Sequence, residues 1–176
     1  STALAHDGYG RSKLMQERLV EKWANDSGCR LIVLRPSSIF GVGCPEQTFL
    51  ATVVRAAMAN QPIELYAPRE YRQNFVAVAD VGKVVLEALS GTVQGTFNLF
   101  SNDTLTASEL ADRAIKISGS RSEVVDRSSS ARISGVHFDN HRFGGEFTTQ
   151  FTPFEETLRQ MCDAMSNGTA STVRSA

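Results

Sequence analysis

The sequence predicts an α/β fold built on a parallel sheet, and three observations carry that expectation. Candidate helices of ten or more residues alternate with short β-like runs along most of the 176 residues. One run, residues 30–35 (Arg-Leu-Ile-Val-Leu-Arg), has a solid apolar centre, as a strand covered on both faces does. Glycine, proline and capping residues stand where each of these segments has to stop.

Residues 1–8 carry almost no apolar periodicity and read as a loop entering a helix, a start that suggests an excised piece of a longer protein. Leu14, Met15, Leu19, Trp23 and Ala24 then fall at helical spacing, predicting a helix over 9–27 with Gly28 as its stop and a face that must bury against its own sheet or a partner. The strand over 30–35 ends at Pro36, which cannot donate to a ladder. Residues 37–46, with Gly41 and Gly43, read as a turn-rich loop. A second amphipathic helix is expected over 47–60, then β-like runs over 63–67 and 74–79, parted by a charged stretch that includes Arg72. A helix over 80–90 stops at Gly91, with Asp80 placed to cap it. Residues 96–100 read as another buried strand. Thr106 and Glu109 have capping-box spacing, and the helix they open should end near Gly119. Residues 120–134 are polar and weakly patterned, a surface segment; 154–165 form a last helix, and 166–176 read as a disordered tail.

Composition narrows the function classes. A net charge of −1 gives no electrostatic reason to expect nucleic acid or an anionic membrane as partner. The apolar runs are far too short to span a bilayer, and no secretion signal opens the chain, so the cytoplasm is the expected compartment. The three cysteines lack CxxC spacing and read as structural thiols. His137 and His141, four apart, suit a metal on one helical face, but no third ligand accompanies them and no metal is expected.

The sharpest chemical signal is Tyr9-Gly-Arg-Ser-Lys13. Residues four apart share a helical face. A free phenol titrates near ~10 and is a poor proton acceptor at neutral pH; an ammonium beside it favours the phenolate. Such a pair can exchange a proton with a substrate hydroxyl or carbonyl while a hydride moves to or from a cofactor. An exposed pair on a surface helix is the alternative.

The wider pattern decides between them. Tyr9, Ser12, Lys13 and Glu17 are followed by Leu34-Arg35-Pro36, Ile39-Phe40-Gly41, Asn74-Phe75-Val76 with Asp80-Val81, Gly95-Thr96-Phe97-Asn98-Leu99, and Phe151-Thr152-Pro153 with Glu155-Glu156. In this order and spacing, over residues 8–162, the sequence resembles the extended short-chain dehydrogenase/reductases, the NAD-dependent epimerase/dehydratase family. The resemblance implies the C-terminal part of a Rossmann-type parallel sheet (1–45) joined to a smaller substrate-binding α/β lobe (46–165) that interleaves with the last Rossmann elements. It implies NAD or NADP as cofactor and a nucleotide sugar as substrate, epimerised or dehydrated by transient hydride transfer. Tyr9 would be the catalytic acid/base; Lys13 would act on it and bond the nicotinamide ribose. Pro36, Ser38 and Ile39 would border the nicotinamide. Ser38 stands where relatives often place an asparagine on the substrate. Arg72 lies near a phosphate-binding arginine of the family, but three residues before Phe75 rather than two. A homodimer through the tyrosine-bearing helix is also implied.

Two elements of the family pattern are missing. No GxxGxxG or GxGxxG occurs, so the pyrophosphate-binding turn is absent, and the family's catalytic serine or threonine would precede residue 1. The expectation is therefore a fragment inactive by itself. An NADPH-dependent carbonyl or dihydroflavonol-type reductase of the same superfamily, and a non-catalytic module that keeps the fold, remain open alternatives.

Overall fold

The computed structural model describes residues 8–128 and 141–173. In chain order these hold α1 (Gly8–Ser27), β1 (Ile32–Pro36), β2 (Ser38–Phe40), α2 (Phe49–Met58), β3 (Ile63–Leu65), β4 (Arg72–Ala77) and α3 (Val78–Ser90). Then come β5 (Gly95–Leu99), β6 (Thr104–Thr106), α4 (Ala107–Ser118), β7 (Val124–Asp126), α5 (His141–Glu146) and α6 (Phe154–Val173). Every helix and strand expected from the sequence is present with boundaries shifted by a few residues, and β2, β6, β7 and α5 are additional.

β1 pairs in parallel with β5, Val33 opposite Thr96 and Arg35 opposite Asn98. β2 pairs in parallel with β4, which pairs antiparallel with β6; β3 and β7 form a separate parallel pair. Parallel neighbours need long crossovers, and α2 and α3 lie within those that link β2 to β4 and β1 to β5.

Two cores result. The larger packs α2, α4 and α6 against β2, β3 and β4 through Leu50, Val54, Leu65, Phe75, Leu110 and Leu158, with Phe154 stacked on Phe40 at 4.9 Å between centroids. The smaller gathers Val84 and Ala88 of α3, Phe97 and Leu99 of β5, and Phe143 and Phe147, with Ile32 and Leu34 of β1 against it. Capping follows sequence closely in α4. Thr106 Oγ1 accepts from Glu109 N–H, the Glu109 carboxylate accepts from Thr106 N–H, and Gly119 turns left-handed at φ 65°.

Four expectations are corrected. The α1 face is not covered by its own sheet: Met15, Leu19 and Trp23 are each more than 60% exposed, and Ala24 is the helix's one buried residue. β1, expected to be covered on both faces, is half-buried along its length, since β5 is its one strand neighbour among the described residues. Periodicity says which residues share a face, not whether anything covers it. α6 runs on to Val173, so 166–173 are helical rather than tail; a helix nucleated on the lobe core by Phe154, Leu158 and Met161 propagates at little further cost. Asp80 caps nothing. α3 begins two residues earlier, its N-cap Ala77 has no side-chain bond, and the buried Asp80 carboxylate accepts instead from Thr152 N–H (2.6 Å), Thr152 Oγ1 (2.9 Å) and Lys83 Nζ (2.8 Å). It ties the segment before α6 to α3. Of the polar segment 120–134, residues 124–126 form β7, and 129–134 lie outside the described residues, as does His137.

Candidate active site

α1 carries Tyr9 and Lys13 one turn apart. Lys13 Nζ lies 5.6 Å from the centroid of the Tyr9 ring and donates to Gln16 Oε1 at 3.3 Å, and Ser12 Oγ donates to the Tyr9 carbonyl at 2.7 Å. Tyr9 is 72% exposed, so its hydroxyl is open to a ligand. Gly8, Gly10 and Ser12 surround it with small residues that leave the helix start uncrowded.

One turn beyond Lys13, Glu17 fixes this stripe to the sheet. Its carboxylate accepts from Arg35 Nε at 2.9 Å and Nη2 at 2.5 Å, with side chains only 20% and 24% exposed. The hydrogen bonds from Arg35, and then its charge, hold the Glu17 carboxyl below the ordinary glutamate range despite burial. The same bonds raise Arg35 above its usual value. Tyr9 lies eight residues before Glu17, about 12 Å along the helix axis. Since α1 and β1 are joined by residues 28–31 and must run in opposite directions for Glu17 to meet Arg35, Tyr9 is carried toward the C-terminal end of β1.

At that end the chain passes through Pro36, Ser37, Ser38 and Ile39. Pro36 is the last residue of β1, opposite Leu99. Ser37 N–H donates to the Leu99 carbonyl and its hydroxyl to Asn74 Oδ1. Asn74 is buried and also donates to the Ser101 and Asp103 carbonyls and to Thr104 Oγ1, so this corner is locked from behind. Ser38 is half-buried and Ile39 is exposed. Gly41 follows at φ 151°, with Val78 Cγ1 only 2.7 Å from where a Cβ would stand.

Not every expected site residue meets the others. Arg72 is exposed at the start of β4, opposite Thr106, where its charge helps lower the pKa of the capping Glu109, behind that residue's own bonds to Thr106. Strand alternation turns Arg72 and Gln73 to opposite faces, and it is Gln73 Nε2 that reaches Ser38 Oγ, at 3.5 Å. The signal for Gln73 was present in the sequence: it stands two residues before Phe75, the spacing at which the resemblance places the arginine. Among the described residues no group of three His, Cys, Asp or Glu side chains could hold a metal.

The residues fit one end of a nicotinamide dinucleotide. An exposed phenol and an ammonium whose one hydrogen bond among the described residues is the 3.3 Å contact to Gln16 can meet a ribose and a carboxamide, and the Pro36–Ile39 corner offers a rigid wall. A glycine-rich turn for the pyrophosphate occurs nowhere in the sequence.

A Tyr-x3-Lys helix clamped beside a parallel strand is a feature of the extended short-chain dehydrogenase/reductases. Residues 4–99 match the profile of the NAD dependent epimerase/dehydratase family, and the chain belongs to that family. No curated protein matches the sequence. Among solved structures it is similar to UDP-glucose 4-epimerase with UDP-glucose from Thermotoga maritima, at 20% identity and a TM-score of 0.82, covering 91% of this chain and 53% of that one. It is likewise similar to RMD from Pseudomonas aeruginosa complexed with NADPH, at 22% and 0.85, covering 95% and 59%. A third is dTDP-glucose 4,6-dehydratase from Bacillus anthracis in complex with NAD, at 18% and 0.81, covering 95% and 55%. The chain thus spans little more than half the length of these proteins. The family is NAD dependent, and the second and third of these structures hold NADPH and NAD. No helix among the described residues is long and apolar enough to cross a membrane.

Proposed function

We propose that this chain supplies the proton-transfer and substrate side of an NAD(P)-dependent epimerase or dehydratase that acts on a nucleoside-diphosphate sugar. The observation that carries the proposal is the stripe Tyr9, Lys13, Glu17, anchored to β1 through Arg35 so that an accessible phenol stands toward the Pro36–Ile39 corner. The substrate class is supported by the UDP-glucose held in the Thermotoga maritima structure. The exposed Met15, Leu19 and Trp23 of α1 support a helix-mediated homodimer as part of the same proposal.

The nicotinamide, when bound, accepts and returns a hydride. Tyr9 Oη, one helical turn from the Lys13 ammonium, takes the proton of a secondary hydroxyl as that carbon loses its hydride. The products are a ketone and a neutral phenol. In the return step the phenol gives the proton back to the carbonyl oxygen as hydride re-enters, on the other face in an epimerase. Lys13 acts by its charge, from the same face of the helix. Pro36 and Ile39 border the nicotinamide and exclude water from it, and Ser38 hydrogen-bonds the sugar. Arg72, exposed at the start of β4, is the proposed partner of a substrate phosphate.

The test is Tyr9→Phe in the whole enzyme, with turnover of UDP-glucose or a related nucleotide sugar followed. Removal of the acid/base group should cost about 10²–10⁴-fold in turnover while the unfolding midpoint stays put. Unchanged turnover would overturn the assignment.

A further inference from the structure

Between β2, β4 and the start of α2 lies a cavity of about 340 Å³, walled by Ser38, Phe40, Thr48, Phe49, Gln73 and Phe75. Its polar character rests on three side chains, Thr48, Ser38 and Gln73. Thr48 Oγ1 is already engaged, accepting from Ala51 N–H and donating to the Pro45 carbonyl. Ser38 Oγ has Gln73 Nε2 at 3.5 Å, a long contact. Gln73 Oε1 is buried and meets no hydrogen-bond donor among the described residues. A buried amide oxygen left without a donor carries its desolvation penalty, which an occupant that brings a donor relieves.

We propose that Gln73 is a specificity-determining residue, and that with Ser38 it makes this cavity select an uncharged hydroxyl-bearing group, a sugar hydroxyl rather than a phosphate oxygen. The identification of that group as part of a nucleotide sugar rests on the function proposed above. Among the described residues the cavity wall holds no lysine or arginine. An anion seated there would face the lone pairs of Oε1 and the rings of Phe40, Phe49 and Phe75 with no cation to offset its desolvation. A hydroxyl both donates and accepts. It can give its proton to Oε1 and accept from Ser38, and if the amide is turned over it can accept from Nε2 instead. A phosphate dianion can only accept. The one attraction for an anion is the first turn of α2, whose cap Thr48 stands at the cavity edge, and the test must separate the two.

The experiment titrates the isotope-labelled chain with UDP-glucose, with UDP and with methyl glucoside, following the Gln73 side-chain amide and the Ser38 backbone amide by NMR. UDP-glucose and methyl glucoside should move both signals, and UDP should leave the Gln73 amide where it is. Gln73→Leu, its fold checked by dispersion of the other signals, should weaken UDP-glucose about five- to tenfold and leave UDP binding unchanged. Equal shifts with UDP, or equal weakening of UDP by Gln73→Leu, would assign the site to phosphate and overturn the proposal. Shifts from UDP-glucose confined to other residues would overturn it and leave the nucleotide-sugar function standing. A response to methyl glucoside without one to UDP-glucose would uphold it and sink that function, and silence with all three probes would end both.

Discussion

Breaking the Glu17–Arg35 pair should loosen the helix that carries Tyr9 and Lys13 before it affects anything else. α1 buries only Ala24, so little apolar area holds it to the sheet, and this bidentate pair is its strongest polar tie. An exposed ion pair contributes about 0.2–1 kcal/mol, and a hydrogen bond to a charged group in a protein about 1.5–3. With two bonds but a fifth to a quarter of each side chain still exposed, the coupling should fall near 2 kcal/mol. Urea unfolding of the parent, Glu17→Gln, Arg35→Met and the double variant gives that coupling directly. Amide hydrogen exchange along 10–24 should rise in either single variant while α2 and α4 keep their protection. The pH dependence has a definite sign. Glu17 titrates below its ordinary value of 4.5 in the folded state, so its contribution is complete above pH 4.5 and is lost as the pH falls through the lowered value. Arg35 is raised, so its share is complete below its ordinary value and is lost only as the pH rises through the raised one, in strongly alkaline solution. The cycle repeated at about pH 3 should therefore return a smaller coupling than at neutral pH. A coupling below about 0.5 kcal/mol at pH 7, or α1 exchange unchanged by Glu17→Gln, would refute the clamp.

Two further outcomes follow from the same geometry. Asp80→Ala removes a buried acceptor of three hydrogen bonds and should destabilise the chain by about 3 kcal/mol in urea unfolding. Asp80→Asn keeps an acceptor for Thr152 and should cost about half as much, and a loss under about 1 kcal/mol for the alanine variant would deny the tie to the 148–154 segment. Gly41→Ala places a Cβ 2.7 Å from Val78 Cγ1 at φ 151° and should lower stability by about 2 kcal/mol. A thermal midpoint equal to the parent's would show that the turn after β2 can shift freely.

Local patterns determined a good deal of this protein. The helix over Gly8–Ser27, its glycine stop, the capping box at Thr106 and the buried Val84 and Ala88 face of α3 are set by neighbours within a turn or two, and such rules read directly from spacing. The Tyr9–Lys13 pair is of this kind, because one helical turn fixes its distance. What depends on partners far along the chain could only be decided by the tertiary structure. β2 is three residues long and exists because β4 pairs with it, 37 residues on at Ser38 and Phe75; alone it reads as a loop. Asp80 looks like a cap until Thr152 arrives to claim its carboxylate. Arg72 and Gln73 are neighbours in sequence, yet the period-two alternation of β4 and its register with β2 decide which one reaches Ser38. An amphipathic stripe fixes which residues share a face, while burial needs a surface to cover it, and so Leu19 and Trp23 stand in the open where the pattern alone would have buried them.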